Sequence, residues 1–226
     1  MNRSGIKAFF APLRWVIIAG IIFFISSGEI NNFRVWIYFA VYGTGGMLMS
    51  LILLKKSPQL LNDRGEVKKG TKKIDLITMI TYGLFAGFIT PCIAGLDYRF
   101  ELSDMNNNYY LIGIWLYIVS AIFVAWPMLY NPYFEGTIRI QNEKGHKVID
   151  SGPYRIVRHP GYLGMLIGSL SFPFAFNSWI SFIPVGIMII LVFIRTNFED
   201  KILIKELEGY KNYTDKVKYR IIPYLW

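Results

Sequence analysis

"YYLIGIWLYIVSAIFVAWPMLY", Tyr109 to Tyr130, carries no charged residue from end to end. Roughly 20 such residues suffice for a helix to cross the hydrocarbon core of a bilayer. The stretch therefore reads as a membrane span, with Pro127 near its exit. Comparable apolar runs precede it at Trp15–Ser27, Val35–Leu54 and Leu76–Leu96, and shorter ones follow at Tyr162–Phe176 and Ile180–Ile194. Gly43, Gly45 and Gly46 in the second run are small residues that let helices approach closely. The first run, behind Arg3, Lys7 and Arg14, also has the look of a signal peptide. Its poor cleavage-site fit favours a retained span.

The totals agree with this pattern. With 54% hydrophobic, 17% aromatic and 17% charged residues, the chain is too apolar for an ordinary soluble domain. The expected fold is all-α: a polytopic membrane bundle of about six transmembrane helices ending in a helical hairpin. Residues 1–130 form four N-terminal spans, and residues 131–226 form a core with the hairpin and a charged, aromatic tail. Asn177 and Ser178 leave room only for a tight turn between the last two runs. Each is about 15 residues, or roughly 22 Å as a helix, and so is short for a bilayer. One cysteine excludes an internal disulfide, and two histidines with that cysteine are too few for a typical zinc site. No metal is expected. The net charge of +9 needs no nucleic-acid partner, because basic residues flanking membrane spans account for it.

Six spans put the N-terminus, residues 55–75, residues 131–159 and the tail on one side. That side holds every lysine and arginine except Arg34 and Arg99. The positive-inside rule makes it cytoplasmic, with both termini there, as in a bacterial inner membrane. "SGPYRIVRHPGYLG", Ser151 to Gly164, lies on the same side just before the hairpin. Gly152, Pro153, Pro160, Gly161 and Gly164 fix the backbone around Arg155, Arg158 and His159. Gly161-Tyr162 opens a helix, whose N-terminus offers unpaired N–H groups to an anion. The hairpin returns the chain to this face at Arg195, with Glu199 four residues on and Asp200 after it. Snorkelling to lipid headgroups would explain the basic residues alone. Basic groups meeting carboxylates also suit a zwitterionic ligand such as S-adenosyl-L-methionine, and a phosphate-bearing ligand would satisfy the arginines equally.

Two segments add a resemblance. "IQNEKGHKVIDSGPYRIVRHPGYLG" and "RTNFEDKILIKELEGYKNYTDKVKYRIIPYLW" resemble the isoprenylcysteine carboxyl methyltransferase family, especially its bacterial members. The likeness runs from Ile138 to Trp226, and the first four spans match only in being apolar. It implies a membrane methyltransferase that uses S-adenosyl-L-methionine on a lipophilic or prenylated acceptor among membrane lipid. Gln141, the stretch His146, Lys147, Val148 and Ile149, Tyr154, and His159-Pro160-Gly161-Tyr162 would bind the cofactor. Glu199 would bind it from the last helix, and Arg195 would grip an acceptor carboxylate. The family often has a second Glu where this chain has Asp200, so the role of Asp200 stays open. An i,i+4 salt bridge between Arg195 and Glu199 is the plainer reading of that pair. "KYRIIPYLW" reads as an interfacial anchor rather than part of a site.

Other functions share some of these features. A phospholipid amine is an alternative acceptor. Membrane sterol reductases, which use NADPH, have a similar Arg-His-Pro-x-Tyr-x-Gly block and Tyr-Arg-Ile-Ile-Pro tail. They usually also carry Asp-Asp-x-x-Cys and Trp-x-x-Tyr-Cys patterns, and this chain has neither. A non-enzymatic membrane protein could use the basic face to hold anionic lipid.

Overall fold

The computed structural model describes residues 1–226 and is built from helices without a strand. Helices α1 (Arg3–Phe9) and α2 (Ala11–Ser27) are bent by 50° at Phe10, just ahead of Pro12. Asn2 caps α1 by accepting the Gly5 N–H at 2.8 Å. Helix α3 (Phe33–Lys56) crosses back, and the short α4 (Pro58–Asp63) lies across its basic end. The third apolar run becomes α5 (Lys73–Leu84), a π-helical turn at Phe85–Ile89, and α6 (Thr90–Phe100). Pro91 lies just beyond the wide turn, and its missing N–H makes a regular helical turn unfavourable there. Trp15 of α2 packs on the same turn. A Cβ at Gly87 would lie 2.1 Å from the indole Cζ3, so only glycine admits this seat.

Helix α7 (Tyr109–Tyr130) follows, then a long irregular segment with short 3-10 turns at Asn142–Lys144 and Gly152–Arg155. The hairpin is α8 (Pro160–Ala175) and α9 (Phe182–Glu206), and α10 (Tyr210–Lys216) precedes the tail. Four helices are long and apolar enough to cross a membrane, and the bent α1–α2 pair can make a fifth. This is a polytopic membrane bundle, an integral membrane protein. A count of six depends on α8, whose 16 residues reach only about 24 Å. Helix α9 is longer than its apolar run, extending into the polar residues that flank a run too short to cross a bilayer. It runs on past Ile194 to Glu206, because protein groups receive its Arg195, Glu199 and Asp200.

Small residues join α7 to α8. The Ser120 hydroxyl donates to the Gly164 carbonyl at 2.8 Å, and a Cβ at Gly168 would crowd Ser120 Oγ at 2.6 Å. An aromatic core of Phe23, Tyr38, Phe39 and Phe176 binds α2, α3 and α8 toward the far end. There the Tyr38 and Ser171 hydroxyls pair at 2.8 Å. The α5–α6 span is pinned to the hairpin by a carboxylate at each end. Asp75 pairs with Arg195 on α9, and Asp97 accepts from Ser178 in the α8–α9 turn.

Candidate active site

The hairpin and the irregular segment enclose a cavity of about 1000 Å³ at the lysine- and arginine-rich end of the bundle. Its mouth is polar. Deeper in, it is walled by Trp15, Met49, Tyr82, Tyr117, Met165 and Phe172, and it continues between the N-terminal helices and the hairpin. Gln141, His146, Lys147, Val148, Ile149, Tyr154, His159, Pro160, Gly161, Tyr162, Arg195 and Glu199 all border this one cavity. Their side chains are nevertheless occupied in different ways.

Glu199 and Tyr162 form the α8–α9 contact at the mouth, with the tyrosine hydroxyl donating to Glu199 Oε2 at 2.5 Å. Glu199 has no other hydrogen-bond partner in the protein, so its second oxygen is uncommitted. Arg195 is not paired with Glu199, which removes the plain i,i+4 reading. Its Nε donates to Asp75 Oδ1 at 2.7 Å and its Nη2 to the Gly136 carbonyl at 2.6 Å. Its guanidinium also lies 5.7 Å from the centre of the Tyr162 ring. Asp75 is buried and accepts the Ile138 N–H at 2.7 Å as well, tying α5, α9 and the irregular segment together.

His159 does not point its ring freely at the cavity. Its Nε2 lies 3.0 Å from Asp200 Oδ1 and 3.3 Å from the Tyr210 hydroxyl. Asp200 is fully buried and receives Arg158 through two nitrogens, both at 2.9 Å, together with Tyr210 at 3.0 Å and Arg220 at 2.9 Å. This gives Asp200 the role the sequence left open, as the post to which the His-Pro turn, α10 and the tail are fastened. The tail is likewise more than an interfacial anchor. Backbone N–H groups of Arg158 and His159 donate to the Tyr219 and Arg220 carbonyls, and Ile221 is fully buried against Leu166 and Val192. Gly161 has a packing part to play beside any anion-binding one, since a Cβ there would meet Phe134 Cζ at 2.5 Å.

The opposite wall is the irregular segment. Gln141 donates to the Tyr133 carbonyl at 2.8 Å and accepts from Lys144 at 3.0 Å. Lys144 also reaches Asp63 at 2.6 Å and Glu135 at 3.0 Å, and Glu135 holds Arg139 through two bonds of 2.9 Å. These pairs fix a loop that has little regular structure of its own. His146 stacks by Tyr133, with ring centres 4.3 Å apart, and its Nδ1 accepts the Gln141 N–H at 3.4 Å. Burial pushes the His146 pKa down to about 4, so the ring is neutral at physiological pH. Tyr154 lies under Val148 and Ile149 with Tyr210 and Tyr213, and burial raises its phenol above the ordinary value. Lys147 is exposed at the rim.

Asp75, Arg64, Tyr210 and Tyr213 were not singled out in the sequence. Asp75 had one local signal, an acid at the first turn of an apolar run within a basic stretch. No cluster of three or more His, Cys, Asp or Glu side chains has the geometry to hold a metal ion.

Comparison with known proteins bears on the same region. A 90-residue stretch is 33% identical to Delta(14)-sterol reductase erg24 of Schizosaccharomyces pombe, covering 38% of this chain and 21% of that protein. The chain therefore spans about a fifth of the length of this curated relative. The isoprenylcysteine carboxyl methyltransferase (ICMT) family matches residues 112–205. That match takes in nearly all of α7, which the sequence resemblance had left out, and stops before α10 and the tail. It covers the helices that carry Tyr162, Arg195 and Glu199 and the loop that faces them. Through residues 112–205, somewhat under half of its length, the chain is similar to the isoprenylcysteine carboxyl methyltransferase family.

Proposed function

We propose that this protein is an S-adenosyl-L-methionine-dependent methyltransferase acting on a lipophilic acceptor at the membrane. The favoured reaction is carboxyl O-methylation of an isoprenylcysteine-like substrate. One observation carries the reading: the His-Pro turn of α8 and the acidic turn of α9 border a single cavity whose polar mouth continues into an apolar tunnel. A water-soluble donor and a membrane-dissolved acceptor could meet there without the acceptor leaving the bilayer.

The residues at the mouth fit the donor. The uncommitted oxygen of Glu199 suits its ammonium or ribose hydroxyls, and Gln141 with residues 146–149 would line the nucleoside. The rings of Tyr154 and Tyr162 would flank the sulfonium. When bound, the cofactor supplies an electrophilic methyl group. The protein's part is alignment and exclusion of water, because a carboxylate acceptor is already anionic and needs no base. Arg195, held by Asp75, would face the acceptor at the head of the tunnel. The basic end would face the cytoplasm, as expected in a bacterial inner membrane.

The likeness to Delta(14)-sterol reductase erg24 favours one competing reading, an NADPH-dependent reductase. Titration of the purified protein with both cofactors decides between them. Saturable binding of S-adenosyl-L-methionine without binding of NADPH is the expected result, and the reverse would overturn the proposal.

A further inference from the structure

Four arginines border the cavity: Arg64, Arg139, Arg158 and Arg195. Three are neutralised by the protein itself. Arg139 pairs with Glu135 and Glu143, Arg158 with Asp200, and Arg195 with Asp75. Arg64, which closes α4, forms no ion pair. Its guanidinium lies 5.6 Å from the centre of the Phe134 ring and donates to the Phe134 carbonyl at 2.9 Å. No nitrogen of the group is sealed away without a partner, and the side chain borders the cavity.

Arg64 and Arg195 face each other across one turn of the irregular segment. Arg64 binds the carbonyl of Phe134, and Arg195 binds that of Gly136 two residues later. A Cβ on Gly136 would meet nothing within 4 Å, so the turn between them opens onto free space. Burial brings the Arg64 pKa down to about 10, with the nearby Arg195 as the second cause. The group stays charged at neutral pH. Arg64 is half-buried at the cavity wall, and a cation there without a counter-charge is free to pair with an anion that enters. On the tunnel side the neighbouring wall is apolar, with Met49, Leu53 and Met128.

Resting on the methyltransferase reading above, we propose that Arg64 binds the oxyanion head of the lipophilic acceptor, while Arg195, neutralised by Asp75, is a positioning residue. The specificity-determining cation then comes from α4, outside the residues that match the family. A carboxylate and a phosphate share the required chemistry.

The test uses the full-length protein in detergent. Its ligands are S-farnesylcysteine, its neutral carboxamide, farnesyl phosphate and S-adenosylhomocysteine. Arg64→Gln should weaken S-farnesylcysteine by about 10- to 100-fold, as expected for losing a hydrogen bond to a charged group. The same variant should leave the carboxamide and S-adenosylhomocysteine within about twofold. Arg64→Lys keeps the charge and should recover part of the loss. It also carries the test alone if Arg64→Gln does not fold, through a weakening confined to the anionic ligands. An equal loss for acid and amide, or a matching loss for S-adenosylhomocysteine, would overturn the assignment. Farnesyl phosphate binding more tightly than the cysteine acid, with the same dependence on Arg64, would support the anion site with a phosphate head. If the wild type bound no S-adenosylhomocysteine, the methyltransferase reading would fall. The acid-to-amide ratio would still report on Arg64.

Discussion

Glu199 and Asp200 are neighbours on α9, yet one borders the cavity and the other is buried behind it. Asp200 faces into the protein and spends its acceptor capacity on Arg158, His159, Tyr210 and Arg220. Glu199 borders the cavity and accepts one hydrogen bond, from Tyr162. The same contrast separates Arg158, whose nitrogens are all engaged, from Arg64, which meets a single carbonyl. A saturated polar group is scaffolding, because nothing remains to offer a ligand. An under-used one beside a cavity has capacity in reserve.

Substitutions can break this comparison. The largest effect should come from Asp200→Asn, which strands Arg158 in a buried site and should cost roughly 3–5 kcal/mol of stability. Thermal unfolding in detergent would show it, and a variant as stable as wild type would contradict the scaffold role. Glu199→Gln should do the reverse. Affinity for S-adenosyl-L-methionine should fall about 10- to 100-fold while the unfolding midpoint barely moves. If the two variants behaved alike, the division between scaffold and site would fail.

A pH titration sharpens the contrast from the other wall. The folded pKa of His146, about 4, lies below its ordinary value of 6.5, so the unfolded chain binds more protons between them. The contribution of His146 to stability is full above about pH 6.5 and is lost as pH falls toward 4. His146→Gln should flatten that part of the profile. The smallest effect is expected at Lys72–Glu206, an exposed pair at 3.2 Å. Lys72→Ala should change stability by less than about 1 kcal/mol.

The sequence made some of this visible and hid the rest for a physical reason. Hydrophobic runs broken by Asn177 and Ser178 were enough to bring Arg195 back beside the His-Pro turn, because a hairpin follows from local spacing. That α9 continues to Glu206 was not legible, since its last charged turns look like a solvated tail until their partners are known. Asp75 looked like the end of a loop because Arg195 lies 120 residues away. Arg64 was one of seven basic residues in its stretch, and only the third dimension separates it from the others. Pairing over such distances leaves no periodic signature.

The two ends of the α5–α6 span are riveted to the hairpin through Asp75 and Asp97, whereas no ion pair reaches α1 or α2. Those first helices are seated by shape, with Trp15 against Gly87 and a 50° elbow at Phe10. The first two helices thus join the bundle by packing where the later ones are also bolted by charge. Trp15 borders the cavity from that packed side, so its indole emission, watched in lipid, would report a greasy guest lodging there.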